Sequence, residues 1–386
     1  MLMKPAYPTV LDHPRFKVII RPESRKLTIF FAGTGTADYA FHFYGQAMQC
    51  GTNVILVNNG ANEWYQSGIP GLGNDLEETI RTIKAWSVAM NAPDIYCIGS
   101  SMGGSGAALY GALLNAAVLA FGFEVRIGLP GSRSSRLGPK GHAFPIPDLT
   151  PFIAGSIKPF HAYIGIDDSE DMASSAHIRN LPNVNATFME HAFHGPPKYL
   201  KNRGRLRPLI EAFLNGSELP SMPEAAEVPE GYPEALHVGH VGYWTKDLPA
   251  WETGYREAIR LRGNAMMANL GLGRALIATG RPAEALQYLA VAKRSKLKEA
   301  PFYFAYALRL LGFPNDAIAL HQMTLNTWPN YIEPMLDIAT AHASQKRFAD
   351  AVKALEAVLE IDPENKTGLS RIRDYRSKLE NQRCSG

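Results

Sequence analysis

The chain has 386 residues, 46% hydrophobic and 19% charged, and its 39 Lys and Arg against 36 Asp and Glu leave a formal net charge of +3. That length suits two domains of ordinary globular composition, and the near balance of charge gives no footprint for a polyanionic partner such as nucleic acid. Three scattered cysteines (Cys50, Cys97, Cys384) form neither a disulfide framework nor a metal spacing. No run approaches the ~20 apolar residues of a membrane span. Met1 to Val10 lacks the apolar stretch of a secretion signal, so a cytoplasmic location is expected.

Phe16 to Ile20 and Leu27 to Ala32 read as strands, joined by the turn Arg21-Pro22-Glu23-Ser24. Past Gly33-Thr34-Gly35-Thr36 a helix is expected over Tyr39 to Met48, then a buried strand over Asn53 to Val57. Asp75-Leu76-Glu77-Glu78 has the form of a capping box and starts a helix running to Met90. Ile95 to Ile98 is a strand, followed by Gly99-Ser100-Ser101-Met102-Gly103 and a helix opened by small residues. Val118 to Ile127, His161 to Ile166 and Ala186 to Glu190 read as the later strands. Alternating β and α segments predict an α/β domain over residues 1–215, with a mostly parallel sheet covered on both faces.

Near Asn215 the character changes. Pro220, Pro223, Pro229 and Pro233 mark a linker, and residues 216–262 are expected to hold it with a connecting helix. From Gly263 to residue 382 helical spacing dominates and repeats itself. Ala285, Ala317 and Ala351 are 32 and 34 residues apart, each after a short turn, and Gly273, Ala305 and Ala339 precede them by 12 residues. Pro329 and Pro363 follow the second and third alanines by 12 residues. This resembles the tetratricopeptide repeat, a helix–turn–helix unit of about 34 residues whose small residues let paired helices approach closely. Glu364 to Gln382 would cap the array.

The pattern G-x-S-x-G at Gly99 to Gly103, between a strand and a helix, is the form of a nucleophile elbow, which makes Ser101 the candidate nucleophile. Two rival motifs fail at a residue their chemistry needs. Gly33-Thr34-Gly35 begins a dinucleotide fingerprint, but Asp38 replaces its third glycine. Gly99 to Ser105 begins a phosphate-binding loop, but Ser105 replaces its lysine.

With the elbow on a strand–helix alternation, residues 16 to 214 resemble the α/β-hydrolases, in which an acid and then a histidine follow the serine on late loops. The resemblance implies Asp168 as the acid, through Gly165-Ile166-Asp167-Asp168, with Asp167 and Asp171 as alternatives. It implies His194 as the base, 26 residues later, with His191 as competitor. A histidine pair at that spacing could also bind metal, but no cysteine or acidic cluster accompanies it. The oxyanion hole would take the Met102 N–H and one from Gly33-Thr34-Gly35, at Thr34 or Gly35.

The domain also resembles hydrolase-type domains associated with bacterial glycan biosynthesis and accessory secretion, some of them carbohydrate O-acetyltransferases or esterases. The stretches concerned are Trp64-Tyr65 with Gly68-Ile69-Pro70, Ala120-Phe121-Gly122, and His194 with Lys198-Tyr199-Leu200. Trp64 and Tyr65 would then be either a stacking wall for a sugar or core residues. The insertion at 129–158, with Arg133, Arg136, Lys140 and His142, would be either a basic loop at the mouth of the site or a solvated surface loop. The expected activity is that of a serine esterase or O-acyltransferase with no cofactor and no metal, acting on an acylated glycan or small ester. The repeats would bind a protein partner or self-associate. The alternative is an idle hydrolase fold on a repeat scaffold.

Overall fold

The computed structural model describes residues 9–223, 225–295 and 297–384. Residues 1–8, most of the segment in which no secretion signal is read, lie outside them. One sheet holds eight strands: β1 (Thr9–His13), β2 (Phe16–Ile19), β3 (Lys26–Phe31), β4 (Asn53–Val57), β5 (Asp94–Ser100), β6 (Ala117–Phe121), β7 (Phe160–Gly165) and β8 (Val184–Met189). Their order is β1-β2-β4-β3-β5-β6-β7-β8. β1–β2 and β2–β4 pair antiparallel, and every later pairing is parallel. The chain passes from β3 outward to β4, then returns across β3 to lay down β5. The carboxyl ends of β3 and β5 therefore border a switch point, where open sheets of this kind have their crevice.

Eight helices cover the sheet: α1 (Tyr44–Gln49), α2 (Leu76–Ala89), α3 (Met102–Leu114), α4 (Arg133–Leu137), α5 (Thr150–Ala154), α6 (Ser169–Ser175), α7 (Pro196–Asn202) and α8 (Leu206–Asn215). Successive side chains of a strand face opposite ways, and the core follows that rule. Phe30 joins Ile98, Leu119, Leu209 and Phe213 in one buried cluster. Phe31 meets Tyr65 and Tyr110 edge-on across the other face.

Two expected elements of this unit need correction, and one strand has no counterpart in the sequence reading. The helix over Tyr39 to Met48 shrinks to α1, because Tyr39 and Phe43 both take positive φ and the Asn58 amide holds the carbonyls of Thr36 and Ala37 in a loop. The strand over Val118 to Ile127 stops at Phe121, where Gly122 turns at φ 41°. β1 was not anticipated; it lies at the sheet edge, where Leu11, Asp12 and His13 all keep solvent contact and show little apolar periodicity.

The chain divides into compact units at Thr245 and Lys246, not at residue 215. Helix α9 (Tyr232–Thr245), expected as connector, belongs to the first unit and packs on α6. Before it, Ala226 donates its N–H to Phe188 of β8 at 2.7 Å, so the proline-rich stretch runs along the sheet edge.

The second unit is all helical: α10 (Leu248–Leu261), α11 (Met266–Ala278), α12 (Pro282–Ala292), α13 (Glu299–Leu310), α14 (Pro314–Thr327), α15 (Ile332–Ser344), α16 (Phe348–Ile361) and α17 (Lys366–Cys384). The packed helices thus begin at Leu248, ahead of Gly263. Ala285, Ala305, Ala317, Ala339 and Ala351 are fully buried between paired helices. A Cβ at Gly273 would lie 2.5 Å from Leu289, the close approach that small residues permit. Among the described residues of both units, no helix is long and apolar enough to cross a membrane.

One buried polar knot ties three of these helices. Asp337 on α15 accepts from Arg309 Nε of α13 at 2.6 Å and from His321 Nε2 of α14 at 2.8 Å, with the His321 side chain fully buried. Removing one partner of such a group strands the others in low dielectric. Asp337→Ala should therefore lower the stability of this unit by about 3 kcal/mol, with Asp337→Asn recovering part of the loss. Urea unfolding of the whole chain, followed by circular dichroism, checks this; an unchanged midpoint for Asp337→Ala would refute it.

Candidate active site

β5 runs directly into α3, and Ser101 is the corner between them, at φ 59° and ψ −130°. A non-glycine residue in that region stores of order 1–3 kcal/mol of strain. The corner is held because the Ser101 N–H donates to the carbonyls of Phe121 and Gly122 at 3.0 and 2.9 Å. It also requires bare backbone: a Cβ on Gly99 would strike the Gly103 carbonyl, and one on Gly103 would strike that of Phe31. The hydroxyl is thereby aimed past the carboxyl ends of the central strands.

There it meets a histidine. The Ser101 hydroxyl donates to His194 Nε2 at 2.8 Å, and His194 Nδ1–H donates to Asp171 at 2.9 and 3.0 Å from its two carboxylate oxygens. His194 lies on the loop after β8, and the Asp171 side chain, on the first turn of α6, is fully buried. Burial by itself would lower the imidazole pKa, but the charge and hydrogen bond of Asp171 outweigh it and raise His194 above its ordinary value.

The acid at His194 is Asp171, not Asp168. α6 begins immediately after Asp168, which becomes its N-cap: one carboxylate oxygen accepts the Asp171 N–H at 2.9 Å, the other takes Arg133 at 2.6 Å. The carboxylate one turn further in is the one carried against Gly122, where a Cβ would come within 2.5 Å of it. Asp167 is spent on His191, accepting its backbone N–H at 2.8 Å, and the His191 ring is exposed.

Arg133 holds the two acids together. Its guanidinium binds Asp171 at 2.9 Å and Asp168 at 2.6 Å, with Glu170 at 3.6 Å. Burial tends to raise the Asp168 carboxyl, yet Arg133 brings it below the usual carboxylate range; at Asp171, burial and the neighbouring Asp168 win and raise it. The donor atoms of Asp168, Asp171 and His194 cluster within 4.8 Å, as metal ligands would. The guanidinium already supplies the cation that both carboxylates require.

The backbone donors sort themselves by elimination. The Gly33 N–H goes to His42 Nδ1 and that of Gly35 to Asn62 Oδ1, each at 3.0 Å. Among the described residues the N–H groups of Thr34 and Met102 have no hydrogen-bond partner, Met102 lying on the first turn of α3. Burial lowers the pKa of His42, in keeping with a neutral ring that accepts at Nδ1.

The remaining expected site residues fall elsewhere. Trp64 and Tyr65 are core, with the Tyr65 hydroxyl donating to Ala32 at 2.8 Å, so neither offers a stacking face. Arg133 and Arg136 are engaged with the α6 acids, and Lys140 and His142 line a separate pocket of about 340 Å³. A cleft of about 560 Å³ opens instead beside Ser100 and Gly195, the immediate neighbours of Ser101 and His194. Arg133, expected at the mouth of the site or in solvent, instead pairs with the acids, and the sequence gives Lys201 of α7 no role. Basic side chains on a loop look alike until the fold pairs them.

Residues 253–302 match the family model described as tetratricopeptide repeat, and the C-terminal unit carries such repeats. No curated protein matches the sequence. Among solved structures the chain is similar to MamA, at 16% identity over 39% of this chain and 89% of that one, with TM-score 0.33. It is similar also to YrrB, a TPR protein with an unusual peptide-binding site, at 17% identity over 46% and 88%, with TM-score 0.35. A third is the Glycosylation Associate Protein (Gap123) complex from Streptococcus agalactiae, at 19% identity over 50% and 43%, with TM-score 0.36.

The opposing effects on His194 give a direct test. Its ring proton, followed by NMR in the whole chain, should titrate above 6.5, the ordinary value. In Asp171→Asn the anion goes and the burial stays, so the pKa should fall below 6.5. Asp168→Asn should lower it less, since no hydrogen bond joins Asp168 to the ring. Equal shifts in the two variants would overturn the assignment of Asp171 as the partner.

Proposed function

We propose that the first unit is a serine-dependent acyl-transfer enzyme of α/β-hydrolase type, an esterase or O-acyltransferase, and that the repeats dock a protein partner. The observation that carries the proposal is the unbroken hydrogen-bonded line from Ser101 through His194 to Asp171. Ser101 Oγ would attack an ester carbonyl carbon while His194 Nε2 takes its proton. Asp171 fixes the tautomer with Nε2 free to accept and stabilises the imidazolium that forms. The Thr34 and Met102 N–H groups would hold the oxyanion. The tetrahedral intermediate then expels the alcohol, which receives the proton from His194. Water or an acceptor hydroxyl, activated by the same histidine, releases the acyl group from Ser101. An acylated carbohydrate or another small ester is the substrate class that the family resemblance implies.

A second reading is favoured by the repeat match over 253–302: a chain that works as an interaction scaffold and whose first unit does no chemistry. Reactivity separates the two. In the enzymatic reading a fluorophosphonate labels the wild type and 4-nitrophenyl esters turn over, and Ser101→Ala abolishes both. Asp171→Asn should cost about 10⁴ in kcat, and Asp168→Asn far less. Because His194 acts only when neutral and its pKa is raised, kcat/KM should fall as pH drops through a value above 6.5. Asp171→Asn should move that limb to lower pH. Folded wild type that neither labels nor turns over would favour the scaffold.

A further inference from the structure

The cleft beside the serine has a chemical character of its own. Its apolar walls are Phe43, Pro197 and Leu206, and its polar groups include Gln46, Lys198 and Lys201. No acidic residue lines it. Lys198 and Lys201 stand three residues apart on α7, which puts them on one helix face, and α7 begins directly after His194-Gly195. Neither lysine is in an ion pair among the described residues. The adjoining residues 195–210 contain no acid, and Arg207 among them is paired with Glu211 at 2.7 Å, so the sign of the cleft is set by the two lysines. A concave site with low-dielectric walls and charge of one sign concentrates its field on a ligand of the opposite sign.

Resting on the acyl-transfer reading, we infer that this cleft is the substrate subsite and that the ester it accepts carries an anionic group, a carboxylate or phosphate, held by Lys198 and Lys201. The apolar walls take the carbon chain and the lysines fix its far end. The reacting carbonyl is then left at the mouth, where Ser100 and Gly195 flank the nucleophile and the base. Strongly hydrated ammonium groups on flexible stems suit a solvent-open subsite of this kind better than rigid guanidinium forks do.

The test compares two 4-nitrophenyl esters of equal chain length, the neutral hexanoate and the hemi-adipate with its terminal carboxylate. The readout is the ratio of their kcat/KM values within each protein, so that altered stability or concentration cancels. Exposed ion pairs of this kind are each worth roughly threefold, so the wild type should favour the hemi-adipate by roughly tenfold. Lys198→Met with Lys201→Met should bring the ratio near one, the change lying in KM. The preference should also fade between about 0.01 and 1 M salt, as the screening length contracts from ~30 to ~3 Å. Inhibition of hexanoate turnover by hexyl phosphate or by hexanoate anion shows which anion the subsite prefers. A wild-type ratio near one, with the hexanoate still turned over through Ser101, would overturn this subsite and leave the acyl-transfer reading intact. No turnover of either ester and no fluorophosphonate labelling would remove both.

Discussion

Two carboxylates buried side by side, Asp168 and Asp171, cannot both be charged unless a cation lies between them. Arg133 is that cation, and much of the site depends on it. It brings the insertion between β6 and β7 into the heart of the constellation, so this segment works as a support rather than as a loop waiting over the site. Its own placement is underpinned from below. Glu124, which burial pushes up to about 7, accepts the Ser134 N–H of α4, and Trp244 of α9 lies over Gly131 with Arg136 stacked 5.1 Å from its ring. Losing any of these contacts would loosen Arg133 and return Asp171 to competition with its neighbour.

The strain at Ser101 is balanced in a comparable way. The positive-φ corner would relax if α3 could move off the sheet, and two backbone bonds from the carboxyl end of β6 prevent that. Close packing at Gly99 and Gly103 leaves no room for a rearranged corner. The serine is thus positioned by rigid elements, a strand and a helix, while His194 comes from a loop. That loop is braced by Gly165, where a Cβ would collide with the Phe193 carbonyl. In the acyl transfer proposed above, one proton would move twice across the same short distance, which a serine on rigid elements and a histidine on a braced loop would suit.

The legible parts were those with a local signature. The elbow glycines, the β/α alternation and the repeated alanines each reflect a constraint on a few neighbouring residues, and they could be read from spacing. The acid could not. Gly165-Ile166-Asp167-Asp168 pointed to Asp168, but an aspartate just before a helix is also a good N-cap, and the start of α6 decided between the roles. α9 reads only as a connecting helix because its apolar residues are spread around the helix instead of gathered on one stripe, and prolines precede it. Its partner, α6, is about 60 residues away in the chain, beyond the reach of any local pattern. Tyr65 is covered by Phe31 of β3 and Tyr110 of α3, and Trp64 by Phe144 of the insertion, none of them near in sequence.

The loop after β3 and the acid side of the site are fastened to the same insertion. Asn62 accepts the Gly35 N–H and donates to Leu137 at the end of α4, so the loop after β3 and the segment bearing Arg133 are joined through one side chain. Gln66 adds a two-way bond with Ile146, its amide donating at 2.7 Å and its carbonyl accepting at 2.8 Å. The Thr34 N–H therefore does not need a substrate-driven loop closure to find its direction. Its two neighbours in the loop are already committed, and the backbone between them has little freedom left. Donors fixed before a charge develops cost no reorganisation when it does, and in this fold the fixing is shared between His42, which holds the Gly33 N–H, and the insertion that also supplies Arg133.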